Sequence, residues 1–171
     1  KQEETKAADL PSKKVENSGN AFEVTSKAFS SGSAIPKIHV CPGQGGRDHS
    51  IPLAFSNLPN DTQSLAVVMD DPDAKQVAGK VWVHWVLTDI PPTVTSLESI
   101  KYGKFKFGKR GRTSSGERLY KGPCPPGKHT YFIAAYALKE MIGKNLGSMT
   151  RAKFEKKYKS IIIEKSEISG F

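Results

Sequence analysis

Short apolar runs separated by turn residues follow one another along the chain from Phe22 onward. This rhythm is typical of a protein built mainly from β-strands. It predicts strands over residues 22–29, 52–55, 64–69, 81–90 and 131–138. The run at 64–69 is apolar without alternation, which indicates a strand buried on both faces.

Residues 81–90 alternate, so their side chains are predicted to fall on two sides of one strand. One side would carry Val81, Val83, Trp85 and Leu87, and the other side Trp82, His84, Val86 and Thr88. His84 is therefore expected to share a face with Trp82 and Val86.

The strand predicted at 131–138 is preceded directly by a histidine. With a period of two, His129 would lie on the same face as Tyr131 and Ile133. An imidazole is thus expected at the entrance of a buried strand.

One helix is predicted near the C-terminus. Thr150 is a suitable N-cap, and Phe154, Tyr158, Ile161 and Ile162 recur at helical spacing after it. Many strands with one or two peripheral helices indicate a mainly β or α+β fold.

The chain has 171 residues, which is the usual size of one compact domain. Residues 1–21 are polar and carry mixed charges, so they are expected to form a tail that precedes a domain at 22–171. No apolar run approaches the roughly 20 residues of a membrane span, and no lipidation motif is present, so at most peripheral membrane contact is expected.

The net charge of +9 favours anionic partners. Much of it lies in residues 101–121, which hold eight basic residues against Glu117 alone. This stretch is either a solvated loop or a docking surface. Aromatic residues interleave with the charges, but no RNA-binding sheet motif or helix-turn-helix surrounds them, so no specific nucleic-acid partner is expected.

The two cysteines, Cys41 and Cys124, could pair in an oxidising compartment or stay reduced in a cytosol, and their spacing leaves both options open. The chain begins at Lys1 rather than at methionine, as it would after removal of a signal peptide or of an expression tag. Together these features favour a periplasmic or secreted protein over a cytoplasmic one.

Three segments carry candidate chemistry. They read Val-Met-Asp-Asp-Pro-Asp-Ala at 68–74, Trp-Val-His-Trp at 82–85 and Gly-Pro-Cys-Pro-Pro-Gly-Lys-His-Thr-Tyr at 122–131. They resemble, in order, the Asp-Pro-Asp-Ala, His-Trp, and Gly-Pro-Cys-Pro-Pro plus His-x-Tyr signatures of the phosphatidylethanolamine-binding proteins. The resemblance is to their bacterial and archaeal branch, the Raf kinase inhibitor-like proteins, and it covers residues 22–171.

This resemblance implies an antiparallel β-sandwich with a few peripheral helices and a small anion-binding cavity at one end. Matched by position, the ligand-binding residues would be Asp71, His84, Gly122, Pro123, His129 and Tyr131. Arg112, Tyr120, Cys124 and Phe171 would lie at the pocket rim. The resemblance also implies that Cys41 and Cys124 lie near each other at the pocket end, where a disulfide is possible.

The residue chemistry agrees with an anion pocket. Histidine nitrogens can donate hydrogen bonds to an oxyanion, whereas the carboxylate of Asp71 would repel it and is expected to orient a histidine instead. The expected function is a non-catalytic binding module for a phosphate-type anion or a phospholipid head group, regulating a protein partner. No metal and no cofactor are expected.

Two other functions stay open. Some relatives inhibit proteases or kinases, and here the basic loops would dock such a partner. Two histidines and an aspartate could also serve a small metal-dependent hydrolase, although no His-x-His or His-x-x-x-His spacing preorganises a metal site. There is no Gly-x-Ser-x-Gly elbow, Cys124 is a weak candidate nucleophile, and His39 and His49 are expected to be ordinary loop or surface residues.

Overall fold

The computed structural model describes residues 19–171. Eight strands lie in this range: β1 (Glu23–Thr25), β2 (Leu53–Ser56), β3 (Ser64–Asp71), β4 (Trp82–Ile90), β5 (Ser96–Leu97), β6 (Lys109–Arg110), β7 (Tyr131–Leu138) and β8 (Ile162–Gly170). They form a three-stranded sheet in the order β1-β2-β5 and a five-stranded sheet in the order β6-β4-β3-β7-β8. All strand pairs are antiparallel. The predicted mainly β sandwich is confirmed.

Two α-helices and two short 3-10 helices accompany the sheets. They are α1 (Lys75–Ala78), α2 (Arg151–Lys157) and the 3-10 turns Lys37–His39 and Pro42–Gln44. Within the described range, no helix has the length and apolar character needed to cross a membrane. The predicted polar tail, residues 1–21, falls almost entirely outside the described residues.

Strand β3 lies at the centre of the larger sheet and is buried along its whole length. Leu65, Val67 and Met69 face the core between the two sheets, while Ala66 and Val68 face the second core beneath α2. The prediction of a strand buried on both faces is therefore confirmed, and the strand continues to Asp71. The two neighbouring carboxylates at its end consequently lie on opposite faces.

The predicted clean alternation along β4 is wrong. Trp85 and Leu87 pack in the core between the sheets, but Val83 and Val86, three residues apart, both pack beneath α2. The pairing with β3 shifts register here, because Met69 pairs with Trp85 whereas Asp70 pairs with Val83. Such a β-bulge inserts one residue and re-aims the side chains around it. The extra residue is His84.

The C-terminal prediction is correct at its start and wrong at its end. Thr150 caps α2, and its side chain accepts a hydrogen bond from the Lys153 amide. The helix ends at Lys157, and the chain then enters β8, which pairs with β7 along its whole length. Ile162 is the first residue of that strand, so its helical spacing from Phe154 is fortuitous.

Two smaller predictions also need correction. The first strand is limited to Glu23–Thr25, where it pairs with β2, and does not reach residue 29. His39 is not a surface residue, since only 3% of it is exposed and its Nδ1 donates to the His49 carbonyl at 3.0 Å.

Candidate functional site

A cavity opens at the end of the five-stranded sheet where β3 ends and β4 and β7 begin. Its volume is about 230 Å³. It is lined by Asp71, Ala74, Val77, Ala78, Trp82, His84, Cys124, Pro125, Pro126, His129 and Tyr131. Antiparallel pairing brings these strand ends together, and so the three sequence motifs meet at one place.

Asp71 and His129 form the polar pair of the cavity. His129 Nδ1 donates to Asp71 Oδ2 at 2.6 Å, and the other carboxylate oxygen, Oδ1, accepts the Ala74 amide at 3.1 Å. Both oxygens of Asp71 are therefore occupied. Because Nδ1 of His129 is engaged, only its Nε2 remains for another partner.

His84 reaches the cavity through the bulge in β4. Its Nδ1 donates to the Lys121 carbonyl at 2.8 Å, and a carbonyl only accepts, so Nδ1 carries the proton. Burial lowers the pKa of His84 from its usual 6.5, although the Lys121 carbonyl and the nearby Asp71 carboxylate favour the charged form. His84 is consequently neutral in the free protein at neutral pH, with Nε2 as its unshared nitrogen.

Tyr131 forms the floor between the two histidines. Its ring meets that of His84 edge to face, with centroids 5.2 Å apart, and stacks with that of His129 at 6.5 Å. Burial, followed by the charges of Asp71 and Asp73, raises the pKa of the phenol well above its usual 10. The hydroxyl therefore keeps its proton, yet it is buried without a hydrogen-bond partner among residues 19–171.

The walls of the cavity are largely apolar. One wall is α1 with the residue before it, where Val77 is 62% exposed and Ala74 is buried. The opposite wall is the proline loop, which contributes Cys124, Pro125 and Pro126. Two prolines and a disulfide restrict this loop, so little backbone freedom is left to lose when a ligand binds.

The disulfide joins Cys124 to Cys41, with their Cα atoms 5.4 Å apart. It fixes the proline loop to the glycine-rich loop at 41–48. A second tie is the Cys41 amide, which donates to the Pro123 carbonyl at 3.0 Å. The nearness of the two cysteines at the pocket end agrees with what the family resemblance implied.

Gly122 and Pro123, which were predicted to bind the ligand, are not among the residues that line the cavity. Both are buried behind it. The Gly122 amide donates to Asp48 Oδ1 at 2.8 Å, and a Cβ at this position would collide with the His39 carbonyl. The absence of a side chain at Gly122 thus allows the close backbone packing at this position.

Three of the predicted rim residues also lie outside the cavity lining. Tyr120 is fully buried and donates to the His39 carbonyl at 2.8 Å. Arg112 donates to the Gly116 carbonyl within its own loop. Phe171 is 42% exposed beneath the ammonium of Lys128, which lies 3.7 Å from the ring centroid.

The sequence prediction missed the apolar wall formed by Ala74, Val77 and Ala78. Helix α1 has only four residues, too few for a helical pattern to be recognised. Trp82 was also missed as a lining residue, although its position two residues before His84 placed it near the site. Among residues 19–171, no group of three or more His, Cys, Asp or Glu side chains has a geometry suited to a metal ion.

Comparison with known proteins gives a consistent result. The family described as phosphatidylethanolamine-binding protein matches residues 25–171. A UPF0098 protein of Chlamydia pneumoniae is 35% identical over 87% of this chain and 97% of its own length. A UPF0098 protein of Methanothermobacter thermautotrophicus is 39% identical over 71% of this chain and 79% of its own length.

Solved structures agree. The phosphatidylethanolamine-binding protein homologue CT736 of Chlamydia trachomatis superimposes with a TM-score of 0.76 at 33% identity, covering 88% of this chain and 96% of its own. Escherichia coli YbcL, described as a member of the mammalian PEBP family, gives 0.76 at 30% identity, covering 88% and 97%. From its sequence motifs, its fold and these matches, the chain belongs to the phosphatidylethanolamine-binding protein family.

Proposed function

We propose that this protein is a non-catalytic binding module whose cavity binds a phosphate-type anion, free or as a phospholipid head group, and that it regulates a protein partner. The observation that carries the proposal is the buried hydroxyl of Tyr131, which belongs to a cavity-lining residue and has no hydrogen-bond partner among residues 19–171. A buried hydroxyl without a partner costs roughly 1–3 kcal/mol. An oxyanion in the cavity would accept a hydrogen bond from this hydroxyl and remove this cost.

The two histidines supply further donors. Neutral His84 presents an unprotonated Nε2, since its proton lies on Nδ1. To donate to an anion, Nε2 must first take up a proton from solvent or from the ligand. Anion binding is then coupled to proton uptake and weakens as the pH rises.

Asp71 acts through His129 rather than on the ligand. Its two oxygens are occupied by the His129 imidazole and the Ala74 amide. A carboxylate repels an anion, but as an acceptor it fixes the ring of the histidine and its tautomer. Asp71 is therefore a positioning residue.

The cavity chemistry favours binding over covalent catalysis. The lining residues include no serine or threonine, and the lining cysteine, Cys124, is disulfide-bonded. A thiolate is the nucleophilic form of cysteine, and a disulfide sulfur is not available in that form.

The test is a calorimetric titration of phosphate and phosphoethanolamine into the protein at about pH 6 and about pH 8. We expect binding at the lower pH that weakens at the higher pH. His84→Ala, Asp71→Asn and Tyr131→Phe should each weaken it. Tyr136→Phe removes a hydroxyl from the same strand, outside the cavity, and should not.

Absence of heat with both ligands at both pH values would contradict the proposal. Equal weakening by Tyr131→Phe and Tyr136→Phe would also contradict it, because the effect would then not be specific to the cavity.

A second candidate is an inhibitor or regulator of a protease or kinase that docks through the basic segment 101–121. The observation that favours it is the anchoring of this segment by aromatic side chains. Phe105 stacks on Trp85 at 6.4 Å and on Phe107 at 5.4 Å, while Lys104 and Lys106, on either side of Phe105, remain exposed. The charges are thus displayed from a fixed backbone.

Neutralising four of these charges separates the two candidates. In a variant with Lys104, Lys106, Lys109 and Arg110 replaced by glutamine, loss of partner binding with phosphate binding intact would support docking through this segment. Unchanged partner binding would count against it.

A further inference from the structure

A second cleft borders the glycine-rich loop at 41–48, and its lining residues carry positive charge without a carboxylate to balance it. It is lined by Pro42, Gly46, Arg47, His49, Lys101 and Tyr102 and has a volume of about 420 Å³. None of these residues lines the cavity described above. We propose that this cleft is a separate binding site for a soluble phosphate-bearing small molecule.

The donors of the cleft come from two chain segments held in fixed register. His49 and Lys101 face each other in an isolated antiparallel bridge. The Tyr102 amide donates to the Asp48 carbonyl at 2.8 Å, and the His49 amide donates to the Ile38 carbonyl at 3.2 Å. The backbone that presents the cationic side chains is therefore already ordered before a ligand arrives.

The cationic side chains of the cleft have no ion-pair partner within residues 19–171. Lys27, Lys121, Arg151 and Lys165 all have carboxylate partners, whereas Arg47 and Lys101 have none. Neighbouring like charges destabilise a folded protein unless an anion compensates them. A ligand with negative charge would supply that compensation.

The nearest acidic side chain in the sequence, Asp48, does not neutralise the cleft. Only 3% of Asp48 is exposed, and its Oδ1 accepts the Gly122 amide at 2.8 Å behind the first cavity. The backbone of Asp48 has a φ of +52°, a left-handed conformation that places its side chain and those of its neighbours differently from a regular strand. The carboxylate is committed to Gly122, while Arg47 and His49 line the cleft.

The chemistry of the donors selects a phosphate group rather than a nucleobase. A guanidinium can bind two oxygens of a phosphate through parallel hydrogen bonds, and the ammonium adds a mobile charge. The Tyr102 ring is already engaged by Lys101 at 5.1 Å and by Lys104 at 5.5 Å from its centroid. It is thus occupied by cations rather than free to stack on a base. The cleft is large enough for an organic phosphate.

The test is an amide NMR titration with inorganic phosphate and with glycerol phosphate. It uses the Tyr131→Phe protein, so that the first cavity is weakened. The key variant is Arg47→Gln/Lys101→Gln. The matched control is Lys153→Gln/Lys156→Gln, which removes the same charge from exposed positions on α2.

We expect shifts at the amides of Arg47, His49 and Lys101, and a reduction of affinity by about tenfold or more in the key variant, as for loss of a charge-assisted hydrogen bond. The control should bind as the parent protein does. Shifts confined to the first cavity, or equal weakening by the control, would overturn the proposal. These outcomes do not depend on whether the first cavity binds anions.

A lipid arm distinguishes the source of the phosphate. Vesicles of phosphatidylcholine containing phosphatidic acid are compared with soluble glycerol phosphate. Binding of the soluble ligand that depends on Arg47 and Lys101 supports the proposal. Retention by vesicles without binding of soluble phosphate would overturn it.

Discussion

Asp70 and Asp71 are neighbours in the chain, yet they lie on opposite faces of the sheet and serve different ends. Asp70 accepts from the Arg151 amide at 2.8 Å and from Arg151 Nε at 2.7 Å. Asp71 accepts from His129 and helps to shape the cavity. The same residue type therefore fastens a helix on one face and orients a histidine on the other.

The two faces differ in where their unpaired polar groups lie. Among residues 19–171, the Tyr158 hydroxyl on the helix face is also buried without a partner, but Tyr158 lies outside the cavity lining. On the helix face, Arg151 also donates to Glu167 at 2.6 Å and covers the Phe132 ring, and the Tyr136 hydroxyl donates to Glu155 at 2.9 Å. On the cavity face, the Tyr131 hydroxyl has no partner within the described part of the chain, and Tyr131 lines the cavity. A satisfied network stabilises the fold, whereas an unsatisfied buried donor that lines a cavity indicates a place for a ligand.

The largest expected effect comes from the disulfide, which ties down the cavity face alone. Cys41 and Cys124 are 83 residues apart, and the loop that their bond closes predicts a loss of about 4 kcal/mol of unfolding free energy in Cys41→Ser/Cys124→Ser. Phosphate affinity should also fall, because the proline loop loses its anchor. Urea unfolding and calorimetry measure the two effects.

Loss of stability without loss of affinity in the serine variant would show that the proline loop holds its shape by itself. Chemical reduction of the parent protein is the independent control, since it leaves both side chains in place.

The next effect concerns the helix face. Asp70→Ala leaves the partly buried Arg151 with Glu167 alone, and we expect a loss of about 3 kcal/mol of unfolding free energy, the lower end of the range for a broken buried ion pair. Phosphate affinity should be unchanged. Asp71→Asn should do the reverse, with a smaller loss of stability and a clear loss of affinity.

An effect of Asp70→Ala on phosphate affinity as large as that of Asp71→Asn would show that the two faces are coupled. Both titrations are made without denaturant, under conditions where circular dichroism shows that each variant is folded.

The separation of the two faces could be predicted only in part from the sequence. The buried strands β3 and β7 follow from continuous apolar runs, and Asp71, His84, His129 and Tyr131 follow from the family motifs. The bulge at His84 could not be predicted, because it arises from pairing with β3, which is a long-range property. A strict period of two gives the wrong face for Val83.

Strand β8 was missed for a different reason. It is an edge strand whose residues are mostly half-buried or exposed, and it mixes charged with apolar residues. Isoleucines at 161 and 162 also continue the helical spacing of Phe154 and Tyr158. The end of α2 is thus set by the pairing of β8 with β7, a tertiary contact that overrides the local pattern.

Two tyrosines of β7 give a smaller but sharper contrast. Tyr136→Phe removes a hydroxyl that donates to Glu155 and should cost about 1 kcal/mol of unfolding free energy. Tyr131→Phe removes a buried hydroxyl that has no partner in residues 19–171, and it should leave the free protein equally stable or more stable, while weakening phosphate binding about tenfold. Thermal unfolding with and without phosphate measures both.

A loss of stability in ligand-free Tyr131→Phe comparable with that in Tyr136→Phe would mean that the Tyr131 hydroxyl already has a partner in solution. The cavity would then hold no unsatisfied buried hydroxyl, and the main support for an anion site would be lost.

The smallest expected effect is on the pH dependence, and it has opposite signs for folding and for binding. Burial lowers the pKa of His84 in the folded state below 6.5, so the unfolded state binds its proton more readily. Stability should therefore rise with pH up to about 6.5 and then level off. Phosphate affinity should fall as the pH rises, because His84 must be protonated to bind the anion and is neutral in the free cavity.

Burial also lowers the pKa of His39, which lies outside the cavity. His84→Gln should consequently reduce the pH dependence of stability only in part, but it should abolish the pH dependence of phosphate binding. Unfolding and binding, measured in parallel between about pH 6 and about pH 8, test both expectations. A pH dependence of binding that persists in His84→Gln would contradict the assignment of the proton to His84.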